Sequence, residues 1–302
     1  MPETDFLVQN KMALSYYLKA FFLAFVLTLL ITPFIIHLAK KYKFLDIPKD
    51  NRRMHNKPMP IGGGLGMYIV ISLLSFYFLN VDKTLIMLIV GSTIIVVSGL
   101  IDDKKGLSPK AKVAFQVLAA VCLVIGGVKI EFFTNPLGAE EILVLINLLS
   151  IPITIFWVCG ITNTINLIDG LDGLAAGISM ICAISMFFIT RRFNHVAATL
   201  VCALIAGACL GFLPYNFNPA KIFMGDTGAL YLGFMLSFIT IQGVMKRAAV
   251  LMMFVPALAL GVPVFDTAFA MIRRKLHGKS IVEADKGPVS YTHLTLPTTP
   301  YV

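Results

Sequence analysis

Long apolar stretches separated by short polar segments dominate the chain. Apolar stretches of about 20 residues are typical of helices that cross a bilayer. Helical spans are therefore predicted over nine ranges: 15–38, 61–79, 84–101, 112–128, 141–159, 173–190, 196–213, 229–244 and 248–271. The pattern predicts an all-α integral membrane protein, a polytopic helical bundle. An odd number of spans would place the two termini on opposite sides of the membrane.

The composition points the same way. Of the 302 residues, 58% are hydrophobic and only 14% are charged, and the mean hydropathy is +0.85. Because soluble domains carry about 25% charged residues, a soluble globule of this sequence would expose large apolar patches. A soluble enzyme, a disordered chain and a disulfide scaffold are excluded. The five cysteines lie in or at the ends of apolar runs and form no CxxC pair, which argues against a zinc site as well.

The basic residues predict the orientation. The net charge of +9 comes from 25 Lys and Arg against 16 Asp and Glu. In a membrane protein such an excess marks the cytoplasmic side, so we expect no nucleic-acid partner. One set of connections holds 17 of the 25 basic residues and the opposite side holds 8. The first set is therefore predicted to be cytoplasmic, with the N-terminus outside: 39–60, 102–112, 160–172, 214–228 and 272–287.

Two adjacent carboxylates, Asp102 and Asp103, lie in the segment GLIDDKKGLSPKAK (99–112) between two predicted spans. Adjacent carboxylates at a membrane surface can hold a divalent cation, or one of them can act as a general base. The alternative is a solvated turn followed by a helix that Ser108 caps and Pro109 begins. The spacing alone leaves both interpretations open.

The segment NTINLIDGLDG (163–173) carries a polar side chain at every third position: Asn163, Asn166, Asp169 and Asp172. Residues at this spacing are neighbours on a helix or a 3₁₀ turn. A helix cap needs one such side chain rather than four, and the segment contains no Lys or Arg. We therefore expect a cation or a basic side chain from elsewhere to neutralise these groups.

A third segment, PYNFNPAKIFMGDTG (214–228), contains Asn216 and places Asp226 between two glycines. Glycine lets backbone approach a ligand closely, although an Asp here also fits a simple helix cap. Upstream, a basic loop that includes Lys57 adjoins a glycine run at 62–64, which suits either a phosphate or close helix packing. Together these segments suggest a phosphate-bearing substrate bound through a metal, because carboxylates and phosphates share a site only when cations screen them.

In order and spacing, the three segments resemble the polyprenyl-phosphate N-acetylhexosamine-1-phosphate transferase family, over about residues 15–287. The chain is most similar to the bacterial branch that uses UDP-N-acetylglucosamine and undecaprenyl phosphate. The resemblance implies that Asp226 ligates Mg²⁺ or Mn²⁺. It also implies that Asp102 and Asp103 act at the reacting phosphates, one as general base, and that Lys112 helps to hold the lipid phosphate. The nucleotide-sugar pocket would be lined by Lys57, Asn163, Asn166, Asp169, Asp172 and Asn216.

By this resemblance the chain is an enzyme that transfers N-acetylglucosamine-1-phosphate to undecaprenyl phosphate and releases UMP, at the start of cell-envelope polysaccharide or teichoic-acid synthesis. The resemblance also implies a multi-pass protein of the bacterial cytoplasmic membrane with its active site facing the cytoplasm, and a homodimer is compatible with it. The peptidoglycan branch, with its phospho-N-acetylmuramoyl-pentapeptide transferases, is the alternative.

Two other classes fit less well. CDP-alcohol phosphotransferases share a D-x-x-D-G motif but need Ala-Arg after it, whereas Ala175, Ala176 and Gly177 follow it in this chain. A membrane transporter would place its ionisable residues at mid-membrane depth rather than at one face.

The last fifteen residues, PVSYTHLTLPTTPYV (288–302), differ from the rest of the chain. They resemble the translation of a transposon adapter used in sequencing libraries, whereas the family pattern continues with a histidine-rich stretch and a further span. We therefore expect 1–287 to form a single membrane-embedded transferase domain with its catalytic loops at the five connections given above. The remaining residues, 288–302, are expected to be a non-native tail on a truncated chain, and the complete bundle to have ten or eleven spans.

Overall fold

The computed structural model describes residues 14–46, 58–130, 132–134, 142–144 and 147–243. Eight helices and two short hairpins occupy these ranges. The helices are α1 (Leu14–Lys41), α2 (Gly63–Phe78), α3 (Lys83–Lys105), α4 (Pro109–Ile125), α5 (Asn147–Ile168), α6 (Leu174–Arg192), α7 (Val196–Asn216) and α8 (Gly225–Gly243). The antiparallel strand pairs are β1 (Leu45–Asp46) with β2 (Met59–Pro60), and β3 (Phe132–Thr134) with β4 (Ile142–Val144).

The helices match the predicted spans in number and order up to residue 243. Five of them are long and apolar enough to cross a membrane, namely α1, α3, α5, α6 and α7, and α2 is a shorter apolar helix. The expected helical membrane bundle is therefore confirmed in outline. The ninth predicted span, 248–271, lies outside the described residues, so the total of nine spans and the outside N-terminus stay predictions.

Helices α7 and α8 form the centre of the bundle. Nearly every residue of α8 from Thr227 onward is buried, and so is most of α7, which fits helices that are apolar on all sides. Gly211 of α7 lets α1 approach, since a Cβ at this position would lie 2.4 Å from the carbonyl oxygen of Phe25. Such small residues are the usual means of close helix packing in membranes.

The outer helix faces carry large apolar side chains. Phe156 on α5 is 79% exposed and Tyr77 on α2 is 77% exposed. Water does not tolerate apolar surface on this scale, whereas lipid does. These faces therefore suit a bilayer.

Three of the predicted connections, 102–112, 160–172 and 214–228, are shorter in the structure than the sequence predicted. Helix α5 was expected to end near 159 but continues to Ile168, so Asn163 and Asn166 are helical rather than in a loop. Their three-residue spacing keeps them on one face, which lets the helix continue without exposing polar groups to lipid. Likewise Asp102 and Asp103 belong to the last turn of α3, and Asn216 ends α7.

Because consecutive helices run in opposite directions, the polar segments come to one end of the bundle. The ends of α3, α5 and α7 and the starts of α4, α6 and α8 meet there. The start of α2 joins the same end, because the N–H groups of Gly63 and Gly64 donate to the carbonyl oxygens of Phe223 and Met224. Ser108 caps α4 and Pro109 begins it, so the predicted cap exists beside the Asp pair rather than instead of it.

Candidate active site

Asp226, in the first turn of α8, is the centre of the polar cluster. The ammonium of Lys112 donates to its Oδ2 at 2.6 Å, and the amide of Asn166 donates to its Oδ1 at 2.9 Å. Lys112 also forms an ion pair with Asp102, whose side chain is only 5% exposed. Lys112 from α4 therefore joins the end of α3 to the start of α8.

Asp103 has a different set of partners from its neighbour Asp102. Its Oδ1 accepts the backbone N–H of Asp226 at 2.8 Å, and its Oδ2 accepts the N–H and the hydroxyl of Thr227 at 3.2 and 2.6 Å. Backbone N–H groups at the start of a helix lack partners within that helix. Asp103 thus caps α8 from another helix, and it fixes Asp226 in place.

Asp102 is held by its own loop and by Lys112. Its Oδ1 accepts the backbone N–H of Leu107 at 2.6 Å. Each of its oxygens has therefore one donor, which leaves lone pairs for a further contact. Of the two adjacent carboxylates, Asp102 is the one that faces a cation.

Asp169 follows the last turn of α5 and is half-buried. Within the described residues its carboxylate makes no hydrogen bond and no ion pair. Burial, followed by the negative charges of Asp226, Asp103 and Asp172, raises the pKa of Asp169 to about 8. A carboxylate surrounded by carboxylates is a place where a cation or a donor from a ligand would be stabilising.

Asp172 and Asn216 hold the loop between α7 and α8. Asp172 accepts the backbone N–H of Ala220 at 3.0 Å. Asn216, which is buried, accepts the N–H of Gly173 at 3.1 Å and donates to the carbonyl of Ile222 at 3.0 Å. Both residues were expected to line a substrate pocket, and in the structure their hydrogen bonds hold this loop in place.

Two expected site residues remain, Asn163 and Lys57. Asn163 is one turn deeper in the bundle, where its amide pairs with Gln116 of α4. Lys57 lies outside the described residues. Sequence reasoning missed Gln116 and Thr227, although Gln116 is the one amide side chain within the apolar run 112–128 and could have been noticed for that.

The cluster suits a divalent cation that is completed by a ligand. In the part of the chain that the structure describes, it has four carboxylates, those of Asp102, Asp103, Asp169 and Asp226, and one ammonium, that of Lys112, which contacts only Asp102 and Asp226. Among the described residues no three His, Cys, Asp or Glu side chains form a ready-made metal cage. Mg²⁺ is usually held by one or two carboxylates together with substrate phosphates and water, and Asp226 uses only one lone pair on each oxygen.

Comparisons with known proteins decide the family. The sequence pattern described as Glycosyl transferase family 4 matches residues 85–244, which contain every expected site residue except Lys57. The chain belongs to glycosyl transferase family 4. It is accordingly an enzyme of sugar-1-phosphate transfer in a multi-pass membrane setting, and the expected resemblance to polyprenyl-phosphate hexosamine-1-phosphate transferases is confirmed.

Members of this family that are similar to the chain come from several bacteria. One, from Bacillus subtilis (strain 168), is named "Probable undecaprenyl-phosphate N-acetylglucosaminyl 1-phosphate transferase" and is 39% identical over 90% of this chain and 75% of its own length. A decaprenyl-phosphate N-acetylglucosaminephosphotransferase of Mycolicibacterium smegmatis is 34% identical, over 87% and 71%. A phospho-N-acetylmuramoyl-pentapeptide-transferase of Staphylococcus haemolyticus is 33% identical, over 73% and 74%.

Proposed function

We propose that this chain transfers N-acetylglucosamine-1-phosphate from UDP-N-acetylglucosamine to undecaprenyl phosphate and releases UMP. The observation that carries the proposal is the contact of Lys112 with both Asp102 and Asp226, in a cluster whose carboxylates outnumber its ammonium. The names of the Bacillus and Mycolicibacterium relatives support a polyprenyl-phosphate acceptor and an N-acetylglucosamine donor. The reaction would be the first membrane step of a cell-envelope polysaccharide or teichoic acid.

The chemistry is a phosphoryl transfer. An oxygen of the lipid phosphate attacks the β-phosphorus of the UDP-sugar, and the bond from that phosphorus to the bridging oxygen breaks, so UMP leaves with that oxygen. Charge develops on the pyrophosphate, and positioning together with charge neutralisation accounts for most of the catalysis of such reactions. Helices α4 and α6 begin at this end of the bundle, and their N-termini favour an anionic ligand.

Each residue then has a defined task. Lys112 supplies a fixed ammonium for the phosphates, and Asp102 beside it orients the acceptor phosphate and takes its proton. Asp103 positions Asp226 through the start of α8. Asp226 would hold Mg²⁺ or Mn²⁺, which when bound neutralises the pyrophosphate. We assign the nucleotide-sugar pocket to the other expected residues: Lys57, Asn166, Asp169, Asp172 and Asn216.

The second candidate function is the transfer of phospho-N-acetylmuramoyl-pentapeptide, because the Staphylococcus relative carries that name. The two reactions differ only in the sugar and its peptide, so the same cluster would serve both. A panel of donors separates them.

The test measures UMP release by the purified full-length gene product in undecaprenyl phosphate-containing liposomes. UDP-N-acetylglucosamine should be turned over, UDP-N-acetylmuramoyl-pentapeptide should not, and omission of the lipid phosphate or addition of excess chelator should abolish release. Lys112→Gln should lower kcat about 10²-fold, the scale for losing one charge-stabilising group. Lys110→Gln, which changes an exposed lysine two residues away, is the matched control and should leave kcat unchanged.

Turnover of the pentapeptide donor alone would favour the second candidate function over the first. Full activity in chelator would remove the metal from the proposal. Equal activity of Lys112→Gln and Lys110→Gln would remove Lys112 from the reaction.

A further inference from the structure

A pair of side-chain amides joins α4 to α5 directly beneath the polar cluster. Gln116 Nε2 donates to Asn163 Oδ1 at 3.1 Å, and Asn163 Nδ2 donates to Gln116 Oε1 at 2.7 Å. The second hydrogen of Asn163 goes to the carbonyl of Cys159 at 2.9 Å. Gln116 is 1% exposed. Because an unsatisfied buried amide is costly, a reciprocal pair of this kind holds its two helices in one register.

The pair lies one helical turn from the two donors that reach Asp226. On α4, Gln116 follows Lys112 by four residues, and on α5, Asn163 precedes Asn166 by three. Residues at these spacings share a helix face. Lys112 and Asn166 donate to opposite oxygens of Asp226, at 2.6 and 2.9 Å. The amide pair therefore sets the spacing between the helices that carry these donors.

Both hydrogens of Asn163 are used within the protein, so its amide has no N–H to offer a substrate. We propose that Gln116, with Asn163 as its partner, is a positioning residue that holds Lys112 and Asn166 on the two oxygens of Asp226. This assignment replaces the expected contact of Asn163 with substrate. Its kinetic consequences rest on the proposed function, whereas its structural consequence does not.

The kinetic test compares kcat with the KM for the UDP-sugar. Gln116→Ala should lower kcat about 10-fold and change KM by less than about 2-fold, since small misplacements of catalytic groups act on the chemical step. In a Lys112→Gln background the same change should cost less than about 2-fold, because Gln116 acts through Lys112. The exchanged pair, Gln116→Asn with Asn163→Gln, keeps the total length of the two amides and should recover most of the lost rate.

Thr240→Val is the matched control. It removes the bond that Trp157 Nε1 donates to Thr240 Oγ1 at 2.9 Å, which joins α5 to α8 far from Asp226. Like Gln116→Ala, this variant loses hydrogen bonding between two helices. Its kcat should nevertheless stay within about 2-fold of the wild-type value. A merely structural role of Gln116 would make the two variants behave alike.

A second measurement needs no activity. Acetylation by a limiting acyl donor, followed by mass spectrometry, reports the reactivity of Lys112 relative to the exposed Lys110. Between two carboxylates Lys112 should react more slowly than Lys110. Gln116→Ala should raise the ratio of Lys112 to Lys110 labelling about 3-fold or more, and Thr240→Val should not.

The outcomes separate the two proposals. Unchanged labelling and unchanged kcat in Gln116→Ala would overturn the positioning role, and so would a rise in KM at constant kcat, which would assign the pair to substrate binding. If the wild-type chain released UMP from no UDP-sugar, the proposed function would fail while the labelling ratio still decided the role of Gln116.

Discussion

The surroundings of Asp169 oppose the ionisation of its carboxyl group. In the folded chain its pKa is about 8, because the site is buried and three further carboxylates act on it, whereas an unfolded Asp titrates near 3.9. Between these two values the folded state keeps a proton that the unfolded state releases. The contribution of Asp169 to stability therefore falls as the pH rises from about 4 to 8.

Asp169→Asn should remove this dependence in metal-free protein. We expect its melting temperature to exceed that of the wild type by about 3 °C at pH 8.5 and to approach it near pH 5. Thermal unfolding in detergent with excess chelator measures the difference. Thr164→Val, an uncharged change on the preceding helix α5, should give a difference that does not vary with pH. A constant difference for Asp169→Asn would mean that Asp169 titrates normally.

The residues of the site were largely predictable from the sequence, but their partners were not. The adjacent pair Asp102 and Asp103 is evident from the sequence, yet nothing local distinguishes the two. The difference arises because Thr227, 124 positions after Asp103, donates to one carboxylate and Lys112 to the other. Contacts between distant segments depend on how the helices pack, which hydrophobic periodicity does not specify.

Among the elements, the starts of α2 and α8 touch through two glycines. A Cβ on Gly64 would lie 2.1 Å from the Cα of Gly228, closer than two carbon atoms can approach. The same contact aligns the N–H of Gly64 with the carbonyl of Met224. The glycine run at 62–64, for which the sequence left phosphate binding open, thus serves helix packing at Gly64.

Gly64→Ala should therefore separate α2 from α8. Overpacking of a tight contact costs about 1–3 kcal/mol, so the melting temperature should fall by several degrees and transferase activity with it. Gly177→Ala is the control, since a Cβ at Gly177 meets nothing within 4 Å, and alanine favours a helix. Equal melting temperatures of the two variants would mean that α2 and α8 can accommodate a Cβ at Gly64 without separating.

Helix ends were the least predictable part of the elements. The existence and order of α1 to α8 follow from the apolar runs, but α5 ends nine residues later than expected. Asn163 and Asn166 were assigned to the connection 160–172 because the predicted span ended at 159. They face Gln116 and Asp226 instead, so the helix continues.

On the scale of the whole molecule, the basic residues are distributed unequally between the two ends. Of the described Lys and Arg, eight lie at the end that holds Asp226: Lys40, Lys41, Lys43, Lys104, Lys105, Lys110, Lys112 and Lys221. The opposite end has Lys83, Lys129, Arg191 and Arg192, with Lys19 in the first turns of α1. Basic residues are enriched on the cytoplasmic side, so the cluster is expected to face the cytoplasm.

Cysteine labelling checks this orientation. Lys110→Cys and Arg192→Cys place a thiol at exposed positions on opposite ends. In intact cells an impermeant maleimide should label Arg192→Cys alone, and in opened membranes both variants should react. The unsubstituted chain supplies the background, since three of its cysteines are buried and two are half-buried. Labelling of Lys110→Cys in intact cells would mean that the end with Asp226 faces the outside of the cell.

The cap that Asp103 provides for α8 has a consequence for the order of assembly during synthesis. Asp102 and Lys112 lie ten positions apart in the chain, so they can pair as soon as the α3–α4 hairpin enters the bilayer. Asp103 can accept its hydrogen bonds only after residues 226 and 227, more than 120 positions later in the chain, have left the translocon. During that interval the growing chain holds a carboxylate without its donors at the membrane boundary. Release of α8 removes this liability and in the same event brings Asp226 to Lys112 and Asn166.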